Sequence, residues 1–171
     1  NIFDMFAIYT AVPGYTRALE HADHFDWPIL GHFLRAVGQI PVNPKDPKQS
    51  AKALKSALEM LRNGDSLTVL PEGSRTLDGT VEHFYSGAFR VAIAAQVPIV
   101  PLSIRGGRKI SRRGDWRFRP GVEEVIIGDP IPTAGLKASD ADTLAKQVRQ
   151  QIINTLQHHP KAEQRKIDRV F

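Results

Sequence analysis

The stretch PKQSAKALKSALEMLRNGDSLTVLPEGSRT, residues 47–76, decides the fold. Its first half reads as a helix from about Pro47 to Asn63. Asp46 can cap it, Pro47 suits the first turn because the N–H it lacks has no intrahelical partner there, and Gly64 can end it. Ala51, Leu54, Leu58 and Leu61 recur at helical spacing and predict one apolar face. Ser66 to Leu70 follows as a short run that predicts a buried strand.

Working outward, the same alternation continues. Ile2 to Val12 reads as a short helix, Arg17 to Leu19 as a short strand, and Ile40 to Val42 as another. Between them, Ile29, Leu30, Phe33, Leu34 and Val37 give Pro28 to Val37 a helical pattern. Downstream, Gly87 to Gln96 reads as a helix, and Ile99 to Ile104 and Val122 to Ile127 read as strands. A final helix from about Asp140 to His158 lines up Leu144, Val148, Ile152 and Leu156. Strands alternating with helices predict an α/β fold with a mostly parallel, twisted sheet flanked by helices. Ser66–Leu70 and Ile99–Ile104 are both expected among its parallel strands. Ligands of such sheets sit beyond the carboxyl ends of the strands, so chemistry is expected first in the loop after Leu70.

The chain has 171 residues, the length of one domain. Residues 1–160 are expected to form that domain, and 161–171 a charged tail. Hydrophobic residues make up 42% and charged residues 24%, a globular balance that argues against long disorder. There is no cysteine, which excludes disulfides, thiolate metal sites and a cysteine nucleophile within these residues. The net charge of +5 and a pI near 9.7 suit an anionic partner: nucleic acid, anionic lipid or a phosphorylated small molecule. No apolar run approaches the ~20 residues of a membrane-spanning helix. The most apolar stretch, Val91 to Ile104, is broken by Gln96, Pro98 and Pro101. The sequence opens at Asn1 rather than Met, as expected of a processed or partial N-terminus.

The loop after the strand reads Pro71-Glu72-Gly73-Ser74-Arg75-Thr76. By composition it is a turn with a solvated acid and base. By position it faces the crevice, where Gly73 lets backbone approach a ligand and Arg75 can grip a phosphate with its fork of donors. A second cluster, His21-Ala22-Asp23-His24-Phe25-Asp26, spaces a His and an Asp by four residues. It reads as a solvated loop rather than a catalytic pair or a metal site.

Taken together, these blocks resemble the glycerolipid acyltransferase family typified by lysophosphatidate acyltransferase. Leu70-Pro71-Glu72-Gly73-Ser74-Arg75 is similar to its Pro-Glu-Gly-Thr-Arg block. Phe84 and Gly87 match the Phe-Lys-x-Gly stretch that follows, and Val97-Pro98-Ile99-Val100-Pro101-Leu102 matches a Val-Pro-Ile-Val-Pro-Val block. Pro120-Gly121, Val125 to Ile127 and Pro130-Ile131 resemble a later Pro-Gly…Gly-x-Pro-Ile pattern. The resemblance runs in order from Asn1 to about Pro132. Its catalytic block, His, any four residues, then Asp, is similar in its second half to Asn1-Ile2-Phe3-Asp4. Asp4 is then the acid, and the partner His is expected two residues before Asn1.

The resemblance implies transfer of a fatty acyl group from acyl-CoA or acyl-ACP to the hydroxyl of a lysophospholipid, 1-acylglycerol-3-phosphate foremost, in phospholipid biosynthesis or remodelling. It implies that Asp4 orients the His base, and that Glu72, Gly73, Ser74, Arg75 and Lys45 hold the acceptor phosphate. It implies no metal and no cofactor beyond the co-substrate, and a position on the cytoplasmic face of a membrane. Two positions depart from the pattern. Asn43-Pro44, followed by Lys45, stands where the family often has Arg, and Tyr85 where it often has Lys. These losses leave room for another lyso-lipid, or one bearing a head group, as acceptor, and for an inactive lipid-binding homologue. Arg105, Arg108, Lys109, Arg112 and Arg113, with Trp116 and Phe118 after them, form a basic cluster that reads equally as a solvated loop or as a contact for anionic lipid or the phosphates of coenzyme A. An RNA-binding module is the distant alternative. No RNP-type strand or Gly-rich RNA loop supports it, and no nucleic-acid partner is expected.

Overall fold

The computed structural model describes residues 4–12, 14–43, 45–73, 80–110 and 119–158, with the backbone alone for 4–6 and 108. Helix α1 (Asp4–Ala11) leads into strand β1 (Thr16–His21). A 3-10 turn (Ala22–Asp26) and helix α2 (Leu30–Ala36) connect β1 to β2 (Ile40–Val42), and α3 (Pro47–Arg62) connects β2 to β3 (Ser66–Thr68). The three strands form one parallel sheet in the order β2-β1-β3. Leu19 lies beside Ile40 and His21 beside Val42, while Thr16 lies beside Ser66 and Ala18 beside Thr68. Both crossovers return the chain to the same edge, so the carboxyl ends of all three strands point one way.

The α3 N-terminus forms as its sequence dictates. Asp46 Oδ1 accepts from the Lys48 and Gln49 amides at 2.9 and 3.2 Å, and Pro47 occupies the first turn. The buried face differs by part of a turn from the expected one. Ala53, Ala57 and Met60 are buried, and Leu54, Leu58 and Leu61 pack partly against them, whereas Ala51 is exposed. Ala51 and Leu58 share the rim of this face, and only the leucine is long enough to reach the core from there.

Beyond the parallel sheet come α4 (Gly87–Ala95), β4 (Leu102–Arg105), α5 (Gly107–Ile110), β5 (Glu124–Ile127), a 3-10 turn (Ala138–Asp140) and α6 (Ala141–His158). Among the described residues, β4 pairs with β5 alone, antiparallel, with Ser103 beside Ile126 and Arg105 beside Glu124. The expected parallel strand over Ile99–Ile104 is therefore corrected. Pro98 and Pro101 carry no N–H for a ladder, so the strand starts at Leu102, and Ile99 makes a separate antiparallel bridge to Ile131. Strand β3 is also shorter than expected. It ends at Thr68, and Leu70, next to Pro71, is 57% exposed.

Two apolar clusters hold these parts together. One joins Phe84, Phe89, Ile93 and Ile131 to Ala141, Leu144, Ala145 and Val148 of α6. The other joins Ile40 and α3 to Val91. Helix α4 contributes to both. Among the described residues, no helix is long and apolar enough to cross a membrane.

Candidate active site

The turn after β3 is built from backbone. The Gly73 N–H donates to the Leu70 carbonyl at 3.1 Å, and Gly73 takes φ +67°, which favours glycine. A Cβ at Gly73 would lie 3.2 Å from the Tyr85 ring, so the residue is glycine for space as well as for torsion. A second segment, residues 80–85, holds this turn from the side. The Tyr85 N–H donates to the Pro71 carbonyl at 2.9 Å, and the Glu82 N–H donates to Glu72 Oε2 at 2.9 Å. The Glu72 carboxylate is thereby held by a backbone donor in the turn that follows β3. Ser74 and Arg75 lie outside the described residues.

Lys45 sits at the same edge of the sheet, in the turn that joins β2 to α3. Its N–H donates to Asn43 Oδ1 at 3.0 Å, and the Asp46 N–H and Ser50 hydroxyl both donate to the Asn43 carbonyl, at 2.9 and 2.7 Å. Asn43, which stands where a cation was expected, thus serves as the organiser of this turn. The Lys45 side chain is exposed. Because β1 lies between β2 and β3, the Lys45 turn and the Glu72 turn leave the sheet from its two outer strands.

Asp4 is the first residue of α1, described in its backbone alone. The helix is anchored by Ile8, 2% exposed, and by Tyr9. Gln39 Nε2 donates to the Tyr9 hydroxyl at 2.8 Å, while Gln39 Oε1 accepts from the Ala18 N–H of β1. Burial pushes the Tyr9 hydroxyl above its ordinary range, although the hydrogen bond from Gln39 acts the other way. Gln39 is itself buried, so one amide side chain ties α1 to the central strand. Sequence reasoning missed this link, since a lone Gln before a strand carries no signal.

The His21 cluster lies at the carboxyl end of β1. His24 Nδ1 lies 2.6 Å from Glu20 Oε1, and its ring packs 5.2 Å from Trp27. His21 Nδ1 lies 3.5 Å from Asp23 Oδ2. Among the described residues no ion pair joins His21 to Asp26, the partner its spacing would select. The cluster is a capped turn: the Asp23 N–H donates to His21 Nδ1 at 3.4 Å. Among the described residues no group of three or more acidic or His side chains can hold a metal ion. If Asp4 is the acid, as the resemblance implies, His21→Ala and His24→Ala should each leave kcat/KM for acyl transfer within about threefold of wild type, the scale of a partly exposed substitution. Steady-state kinetics check this, and a hundredfold loss in either variant would make this cluster the base.

Of the basic cluster, Arg105 lies on β4 with its Nε 3.7 Å from Glu124 Oε2, and Lys109 is exposed on α5. Arg112, Arg113, Trp116 and Phe118 lie outside the described residues. A groove of about 480 Å³, which sequence reasoning did not find, is lined by His83, Lys146, Arg149 and Gln150. It lies where the 80–85 segment meets α6.

Residues 1–105 match the model of the Acyltransferase family. The chain is 32% identical over 157 residues to a chloroplastic 1-acyl-sn-glycerol-3-phosphate acyltransferase of Brassica napus, covering 91% of this chain and 44% of that protein. It is 37% identical over 151 residues to the alpha 1-acyl-sn-glycerol-3-phosphate acyltransferase of Ovis aries, covering 88% of this chain and 53% of that one. The chain thus spans about half the length of these curated relatives. In fold it is similar to the crystal structure of the 1-acyl-sn-glycerophosphate acyltransferase PlsC of Thermotoga maritima, with a TM-score of 0.76 at 23% identity, covering 94% of this chain and 64% of that one.

Proposed function

The chain belongs to the acyltransferase family, and from that premise we propose that it moves a fatty acyl group from acyl-CoA or acyl-ACP to the free hydroxyl of 1-acylglycerol-3-phosphate. The observation that carries this reading is the Pro71–Gly73 turn that follows β3, braced by the 80–85 segment through the Tyr85 N–H to the Pro71 carbonyl and the Glu82 N–H to Glu72 Oε2. A histidine two residues upstream of Asn1 is the general base. It takes the acceptor's hydroxyl proton as the oxygen attacks the thioester carbonyl. Asp4 holds the imidazole in the required tautomer and stabilises its cation. Glu72, Gly73, Ser74 and Arg75 hold the acceptor, with Lys45 adding charge from the neighbouring turn. Loop N–H groups stabilise the oxyanion. When the tetrahedral intermediate collapses, the carbon–sulfur bond breaks and the imidazolium returns its proton to the leaving thiolate. This sequence of steps calls for no metal and no resident cofactor.

The support for Asp4 is topological. Tyr9, late in α1, is tied to Gln39 and Ala18, and the chain turns at Gly14 (φ +89°) before entering β1. Helix α1, whose first residue is Asp4, is thus tied to the central strand of the sheet. The acceptor resides in a bilayer, so the enzyme works at a membrane, and we place it on the cytoplasmic face. Asn43 and Tyr85, the latter 66% exposed, favour a second acceptor: a lysophospholipid with a head group, which needs fewer cations than a bare phosphomonoester.

Acyl transfer by the full-length protein, upstream residues included, to a panel of lyso-lipids from both acyl-CoA and acyl-ACP tests the reading. The expected result is highest kcat/KM with 1-acylglycerol-3-phosphate. Preference for a choline- or ethanolamine-bearing acceptor would select the second reading. Binding of lyso-lipid without turnover of any acceptor would mark an inactive lipid-binding homologue and reject both.

A further inference from the structure

We infer that Arg149, on α6 and outside the stretch matched by the family model, is a positioning residue for Glu72. This rests on the reading of Glu72 as an acceptor-holding residue. Arg149 Nε donates to the Glu82 carbonyl at 2.7 Å, and Arg149 Nη2 donates to the Val81 carbonyl at 2.5 Å. Two successive carbonyls are thus taken by one planar fork, a geometry that arginine offers and lysine does not.

The Val81 carbonyl belongs to the same peptide group as the Glu82 N–H, which donates to Glu72 Oε2 at 2.9 Å. One peptide plane is therefore gripped at both ends: a guanidinium on its oxygen, a carboxylate on its hydrogen. The cation at the oxygen draws electron density from the N–H and makes it a better donor, and it fixes the plane so that the N–H points at Glu72. The support beneath Arg149 is rigid. Leu144, Ala145 and Val148 of α6 are buried in one cluster with Phe84, so the helix and the 80–85 segment share a core. Lys146 lines the same groove as Arg149 but makes none of these bonds in the described network.

The test uses the full-length protein with Arg149→Ala, Arg149→Lys, Glu72→Ala, the Glu72→Ala/Arg149→Ala double variant, and Lys146→Ala as control. Arg149→Ala should raise the acceptor KM about tenfold, the usual scale for a charge-assisted bond, and leave the donor KM within about twofold. Arg149→Lys should recover part of the loss. The double variant should be no worse than Glu72→Ala, because both changes break one chain of contacts. Losses that multiply in the double variant would overturn the inference. So would equal, salt-sensitive losses in Arg149→Ala and Lys146→Ala, which would make the groove an anion site instead. Amide hydrogen exchange gives a reading independent of turnover: the Glu82 amide should exchange faster in Arg149→Ala and not in Lys146→Ala. Unchanged exchange would overturn the inference even if the kinetics move. If the wild-type protein acylates no lyso-lipid, the functional reading falls, and the exchange measurement still decides whether Arg149 sets this peptide.

Discussion

Asp4→Asn is expected to lower kcat for the proposed acyl transfer about 10³- to 10⁴-fold, with the acceptor KM little changed. The magnitude is that of replacing the acid that orients a catalytic histidine, where the amide selects the wrong tautomer and leaves the imidazolium without a counter-charge. The effect falls on kcat because the acid acts as charge develops in the transition state and not on the bound acceptor. The helix should survive the change, since its anchors are Ile8 in the core and the Tyr9–Gln39 hydrogen bond, both more than a turn away. Steady-state kinetics on the full-length protein, with a thermal melt to establish folding, provide the measurement. A folded variant within tenfold of wild type would remove Asp4 from the reaction and return attention to the His24–Glu20 pair at 2.6 Å.

The second large effect belongs to Arg75. Arg75→Ala should lower kcat/KM for 1-acylglycerol-3-phosphate between about tenfold and a hundredfold, since a hydrogen bond to a charged group contributes about 1.5–3 kcal/mol. Arg75→Lys should restore only part of this, keeping the charge while losing the paired donors. The loss should be smaller for an acceptor whose phosphate is esterified to a head group and carries less charge. Comparing the two acceptors in one assay checks the assignment. Equal kinetics of Arg75→Ala and wild type with every acceptor would take the phosphate away from Arg75 and leave Lys45, on the turn after β2, as the candidate.

The parts of the fold that sequence could reach are those governed by neighbours in the chain. The α3 N-cap was legible because Asp46 and Pro47 act on amides two and three residues away. The Pro71–Gly73 turn was legible for the same reason. The partner of β4 was not. Its pairing is set by residues 124–127, some twenty positions on, and by prolines that the apolar pattern of Val97–Leu102 conceals. Nor was the support of Glu72. Glu82 and Arg149 look like solvated charges on polar surfaces, and their roles depend on a backbone N–H and on two carbonyls that no sequence pattern marks. In sequence Tyr85 marks only a missing cation, yet its backbone N–H holds the Pro71 carbonyl and its ring lies against Gly73.

Helix α4 gives Phe89 and Ile93 to one apolar cluster and Val91 to the other. Its nine residues leave no side that can be released separately. Unfolding is therefore expected to be a single cooperative event: neither cluster can melt without pulling the shared helix out of the other. The 80–85 segment enters α4 directly, so the brace on Glu72 belongs to that same event. Damage to the buried faces of α3 or α6 is thus expected to reach catalysis as a smaller folded population.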